Sequence, residues 1–154
     1  MIKVNVITKN ASWLRLIKSP VNYINRRVKK LNIKDNNFKK NIFFCTLLLS
    51  NSKEIKNLNK KFRKKNKSTD ILSFPFYSEK NLKNEIKKEK EIYLGDIIIN
   101  LSKVKAKNNS KNFKLEFDKL WIHGLVHLFG HNHKKETDFK KMDKVEKNYL
   151  KYIK

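Results

Sequence analysis

Cysteine occurs once, at Cys45, so no internal disulfide can staple this chain, and the lone thiol reads as a small apolar group on a strand. Long hydrophobic runs are missing as well. Ile42–Leu49, IFFCTLLL, is among the longest, far short of the roughly 20 residues that a membrane helix needs. With no signal peptide visible, the expectation is a cytoplasmic protein with no membrane contact. Acidic residues are scarce: 14 Asp and Glu stand against 38 Lys and Arg, a formal net charge of +24 that points to a polyanionic partner. Almost all of that charge is lysine, accompanied by abundant Asn and Ile, which an AT-rich genome also writes into a solvated surface. Arginine appears only at positions 15, 26, 27 and 63, so Arg63 is the one arginine outside the first helices.

What is present is apolar sequence in periodic segments. At 154 residues and 39% hydrophobic, it suffices for one folded domain spanning 1–154. Ile2–Ile7 alternates as a half-buried strand. Trp13, Leu14 and Ile17 suggest a helical turn. Ser19 and Pro20 look like the N-cap and first residue of a helix carrying Val21, Ile24, Val28 and Leu31. Asp35–Asn41 is a polar turn. Ile42–Leu49 reads as a strand buried on both faces. Asn51 or Ser52 can cap a helix that buries Ile55, Leu58 and Phe62. Thr69–Phe76 is a strand limited by Pro75. Ser78–Glu91 is charged enough to be a surface loop, with room for a helical turn, and Ile92–Leu101 is a strand with Gly95 at a bulge or close approach. Leu115–Phe129 is apolar nearly all round, a central buried helix ended by Gly130. Phe139, Met142, Val145, Glu146, Tyr149 and Ile153 mark the inner stripe of a closing helix.

All four histidines fall within His123–His133, HGLVHLFGHNH. Residues four apart on a helix share a face, so His123 and His127 can aim two nitrogens at one point, and Gly130 lets the chain double back to add His133. His131 is the competing third ligand, at a spacing that fits less well. Three imidazoles leave one tetrahedral position open, the arrangement of a catalytic zinc. The spacing equals that of the metzincin protease signature H-E-x-x-H-x-x-G-x-x-H, but Gly124 occupies the place of the glutamate that serves as general base. Peptide hydrolysis by that route is disfavoured. A phosphodiester, whose cleavage depends on neutralising developing negative charge, suits such a site on a basic protein.

The H-G-x-x-H-L-x-G-x-x-H segment, together with LNKKFRKKNKSTDILSFPF at Leu58–Phe76 and LGDIII at Leu94–Ile99, resembles the bacterial YbeY family of zinc-dependent endoribonucleases that mature ribosomal RNA. The match runs from about Ile42 to the end and is looser before it. The resemblance implies an α+β fold, with one mixed β-sheet of about four strands, helices packed against it, and the zinc motif on a central buried helix. It implies one Zn2+ per chain on His123, His127 and His133, and a cleft arginine needed for activity, here Arg63. A guanidinium at that position can also grip a phosphate bidentately where lysine cannot. Thr69, Asp70 and Ser73 belong to the same motif, and Asp96 fits it as a fold or cleft residue. Where the family usually has G-Y-D-H, this chain has Gly130–His133 as GHNH, so Asn132 lacks a charge that could orient a ligand histidine. The implied partners are ribosomal RNA and the small ribosomal subunit, with a ribosomal protein or assembly factor beside them. The resulting expectation is a single-strand-specific endoribonuclease of ribosomal RNA precursors. A non-catalytic zinc-containing assembly factor is the alternative reading, and a metal-dependent hydrolase of another substrate such as peptide is the third.

Overall fold

A computed structural model describes all residues from Met1 to Lys154. Four strands form one mixed sheet: β1 (Ile2–Thr8), β2 (Ile42–Ser50), β3 (Ile71–Pro75) and β4 (Glu91–Asn100). Their spatial order is β1-β2-β4-β3, with β3 antiparallel at the edge and the other pairs parallel. Helices α1 (Trp13–Leu16), α2 (Pro20–Lys34), α3 (Ser52–Arg63), α4 (Glu79–Lys88), α5 (Ser110–Leu128) and α6 (Glu136–Ile153) complete an α+β fold, as expected.

One sheet face carries the main core. Ile2, Phe43, Cys45, Leu47, Leu49, Leu94, Ile97 and Ile99 are buried there with Trp13, Phe113, Phe117, Trp121 and Leu125 in a single cluster. The opposite face is only partly covered. Ile55 of α3 is buried against Leu72 and Ile98, with Leu48, Leu58 and Phe74 half-buried around them. Consequently β2 alternates between buried and half-buried residues instead of being buried on both faces: α3 spans only part of this side.

Several other expectations need correction. Pro20 opens α2, but the Ser19 side chain makes no capping bond, and Val21 is exposed. Asn51 does cap α3, its side-chain oxygen accepting from Glu54 N–H. Phe62, read as buried, is exposed and meets the ring of Phe74 edge-on. Segment 78–91 holds more than the helical turn expected in a loop: Ser78 caps the ten residues of α4, whose single buried residue, Leu82, is too weak a periodic signal amid the charge. Helix α5 begins at Ser110, five residues earlier than read, because Asn109 caps Lys111 and Asn112 and the polar first turn hides the start. Phe139 is exposed, since it lies in the first turn of α6, ahead of the packed face that begins at Met142.

Gly95 is the bulge. Phe44 pairs with Tyr93 and Cys45 with Gly95, which leaves Leu94 as the extra residue of β4. The φ of Gly95 is +127°, and a Cβ there would lie 2.1 Å from the Phe74 carbonyl oxygen, so no other residue fits. This position sets where edge strand β3 runs.

Candidate metal centre and its cleft

Helix α5 lies on the sheet through Gly124, where a Cβ would come within 2.7 Å of Ile97 Cγ2 and 3.1 Å of Ile71 Cδ1. This explains the missing glutamate. The position after His123 faces the sheet, so a carboxylate there would be driven into the core. On another side of the helix, His123 and His127 stand one turn apart, half-buried. The helix ends at Leu128, and a Schellman turn follows: Gly130 at φ +90° donates to His127 O (2.9 Å), and His131 N–H donates to Val126 O (3.3 Å). That reversal returns the exposed His133 to the other two rings. Ligand atoms of His123, His127 and His133 all lie within 4.8 Å of one another.

The outer nitrogens are already committed. His127 Nδ1 lies 2.9 Å from the His131 carbonyl oxygen, which only accepts, so Nδ1 carries the proton. His123 Nδ1 lies 2.7 Å from Glu146 Oε1 and donates to that carboxylate. Both Nε2 atoms therefore present lone pairs, and they face each other at 3.0 Å. Two facing lone pairs repel unless a proton or a metal ion lies between them. Imidazoles on a tetrahedral zinc at about 2.0 to 2.1 Å sit about 3.3 Å apart, close to what is seen. Burial, then the neighbouring His123, hold the His127 imidazole below the usual histidine range, which favours a neutral ring with Nε2 free to bind a metal at neutral pH. The donor set fits a metal ion.

The three histidines open on a cleft of about 380 Å³, lined also by Arg63, Thr69, Asp70, Ile71, Ser73 and Pro75. Arg63 comes from the last turn of α3 and donates from Nη2 to the Ser73 carbonyl (2.9 Å), which ties it over edge strand β3. Its remaining N–H groups stay available. Asp70 Oδ1 accepts from the Thr69 hydroxyl (3.0 Å) and from Ile71 N–H (2.8 Å), holding the entry of β3.

A family model for endoribonuclease YbeY matches residues 7–154. The chain belongs to the YbeY endoribonuclease family. Endoribonuclease YbeY of Pelagibacter ubique is 45% identical over 100% of this chain and 97% of its own length. That of Thermodesulfovibrio yellowstonii is 33% identical over 99% of this chain and 92% of its own. A solution structure from Thermotoga maritima is similar over 99% of this chain and 89% of its own, at a TM-score of 0.53 and 26% identity.

Within this YbeY-family chain, the three expected histidines and Arg63 share one cleft. The His131 ring lies apart, in a cavity with Phe38, Glu79, Leu82 and Phe129, and contributes its backbone carbonyl instead. Asp96 also lies away from the cleft, on the partly covered sheet face, where the Tyr93 hydroxyl donates to it. The Asn132 side chain makes no hydrogen bond to a histidine ring; it accepts from Lys134 N–H (3.1 Å) and shapes the turn that presents His133. The carboxylate that does orient a histidine is Glu146, which the sequence places only as part of the stripe on α6. Its i−3 and i+3 neighbours, Asp143 and Tyr149, carry no sign of the role, because the contact spans 23 residues. No helix is long and apolar enough to cross a membrane.

Proposed function

We propose that this chain is a zinc-dependent endoribonuclease that cleaves single-stranded segments of ribosomal RNA precursors during small-subunit maturation in the cytoplasm. The observation that carries this reading is the meeting of three metal-ligating imidazoles with one guanidinium in a single cleft. His123, His127 and His133 are the ligands, each chosen by a free ring nitrogen near the same point. Zinc is the metal because three neutral imidazoles with an open position suit it. When bound, it supplies Lewis acidity beside a scissile phosphate. Glu146 and the His131 carbonyl lock the orientation of two ligand rings. Arg63, anchored through one nitrogen on Ser73, turns its other N–H groups to a phosphate oxygen and stabilises charge that develops there. Gly124 removes the general base of the protease route, which favours an anionic ester over a peptide.

The test is cleavage of an end-labelled ribosomal RNA precursor fragment by the protein and by His127→Ala, with metal content measured on both. Zinc near one per chain, and cleavage lost with the metal, are expected. Equal cleavage by the two proteins would identify a contaminating nuclease and defeat the proposal. Zinc binding and RNA binding without any cleavage would favour a non-catalytic assembly factor.

A further inference from the structure

The cleft opens beside a surface that the chemistry at the metal centre does not use. Helix α3 runs out into NKKFRKKNK at Asn59–Lys67, in which Lys60, Lys61, Arg63, Lys64, Lys65 and Lys67 are all exposed and no acidic residue occurs from Ile55 to Thr69. This segment is held in shape. Lys64 takes the left-handed conformation (φ 56°), Lys65 N–H donates to Asn59 O (3.2 Å), and the buried Asn59 side chain donates to Lys67 O (2.8 Å).

Aromatic rings lie against it. Phe62 is 59% exposed and packs edge-on against Phe74 of β3, with ring centroids 5.4 Å apart. Just past the end of β3, Phe76 is 65% exposed and meets Tyr93 of β4 at 5.9 Å. Phe74 and Phe76 share a face, since Phe74 lines a cavity with Asp96 while Phe76 meets Tyr93, whose hydroxyl donates to Asp96. Lys61 Nζ lies 5.2 Å from the Phe62 ring centroid, and Arg63 Cζ lies 5.7 Å from that of Phe74. Arg63 thus belongs to both places: it covers Phe74 on one side and lines the histidine cleft on the other. Exposed rings have little reason to be kept in water, and a fixed cationic segment beside Phe62 and Phe74 calls for a partner with both negative charge and flat apolar faces.

We infer that Phe62, Phe74, Phe76 and Tyr93, with the lysines of Lys60–Lys67, form a track on which unpaired RNA bases stack while their phosphates meet the lysines, feeding a single strand past Arg63 into the cleft. The inference rests on the endoribonuclease reading above. A duplex, with its bases stacked on one another, has no face to offer such rings, whereas a single strand does. The track is therefore what selects unpaired RNA, and the phosphate contacts alone would not.

The experiment compares the full-length protein with F62S/F76S, both positions exposed enough for the fold to tolerate the change. The probes are a single-stranded RNA oligonucleotide, an abasic oligonucleotide of equal phosphate number and an RNA duplex. Thermal unfolding and metal content report on the fold and should not move. Single-strand affinity is expected to fall at least about tenfold, since stacking on one ring is worth about that much per base, with abasic and duplex binding unchanged. In a second variant, K60Q/K61Q/K64Q/K65Q, affinity for all three probes should fall together. Unchanged single-strand affinity in F62S/F76S would overturn the inference, while cleavage by the parent protein would leave the endoribonuclease reading standing. If those same substitutions instead abolish binding to intact small subunits and spare RNA, the face belongs to a protein partner and the track is wrong. A parent protein that neither binds nor cleaves RNA would defeat both readings.

Discussion

At the scale of single residues, the site is built by what each position permits. Glu146 fixes His123 by a bond of 2.7 Å, so Glu146→Gln keeps the shape but removes the charge that makes Nδ1 the donor. Metal affinity measured by chelator competition should drop about 10- to 100-fold, the usual effect of losing such a partner. His123→Ala and His127→Ala should abolish stoichiometric metal, and His133→Ala should weaken it. His131→Ala should be nearly silent, because that residue acts through its carbonyl. Zinc that survives His133→Ala but not His131→Ala would overturn the assignment. Gly124 is held open for the sheet. Alanine there gains about 1 kcal/mol of helix propensity but overpacks Ile97 and Ile71, which costs about 1 to 3 kcal/mol. A net loss of stability is expected from urea unfolding midpoints, and Gly124→Glu should not fold at all; a stable Gly124→Glu protein would show that the helix does not lie on the sheet at this point.

Among the elements, those with strong periodicity or a special residue were legible in the sequence. Helix α5 could be read because its apolar stretch is long, and its end because Gly130 takes a positive φ that side chains avoid. Strand β4 and its bulge were marked by Gly95. Elements held together by a single buried residue were not legible: α4 turns on Leu82 alone, and its charge pattern reads equally as loop. Nor could sequence spacing reveal that α3 covers only part of the second sheet face, because partial coverage depends on where a helix lands. For the same reason Phe62 reads as core when it is surface. The convergence of the three histidines was legible since helical spacing and one glycine suffice to bring them together, whereas the Glu146 contact was not, since it arrives from another helix. The strictest element-level test is Gly95→Ala, whose Cβ would stand 2.1 Å from a backbone oxygen. With strain of about 1 to 3 kcal/mol from the dihedral alone and a backbone collision in addition, unfolding at ambient temperature is expected by circular dichroism. Retention of the native melting temperature would mean that β3 can move away from β4 without loss.

For the whole molecule, the question is whether a net charge of +24 is a binding feature or a compositional one. Salt dependence separates the two, because only lysines that displace counterions from phosphates leave a slope. If the basic surface follows a single strand, log affinity should fall linearly with log salt, by about 0.7 per phosphate contact. Arg63→Ala removes one grip among many, so the slope should lessen by no more than about one contact. Cleavage should fall much further, on the order of 10²-fold or more, if Arg63 stabilises charge that develops at the scissile phosphate, as proposed. Measuring binding of both proteins from low to moderate salt, at saturating zinc, gives the slopes, and single-turnover cleavage under the same conditions gives the rates. A flat slope would reduce the lysines to solvated surface. Equal losses of binding and cleavage would make Arg63 a binding residue only, and the charge that stabilises the reaction would then have to come from the metal centre alone.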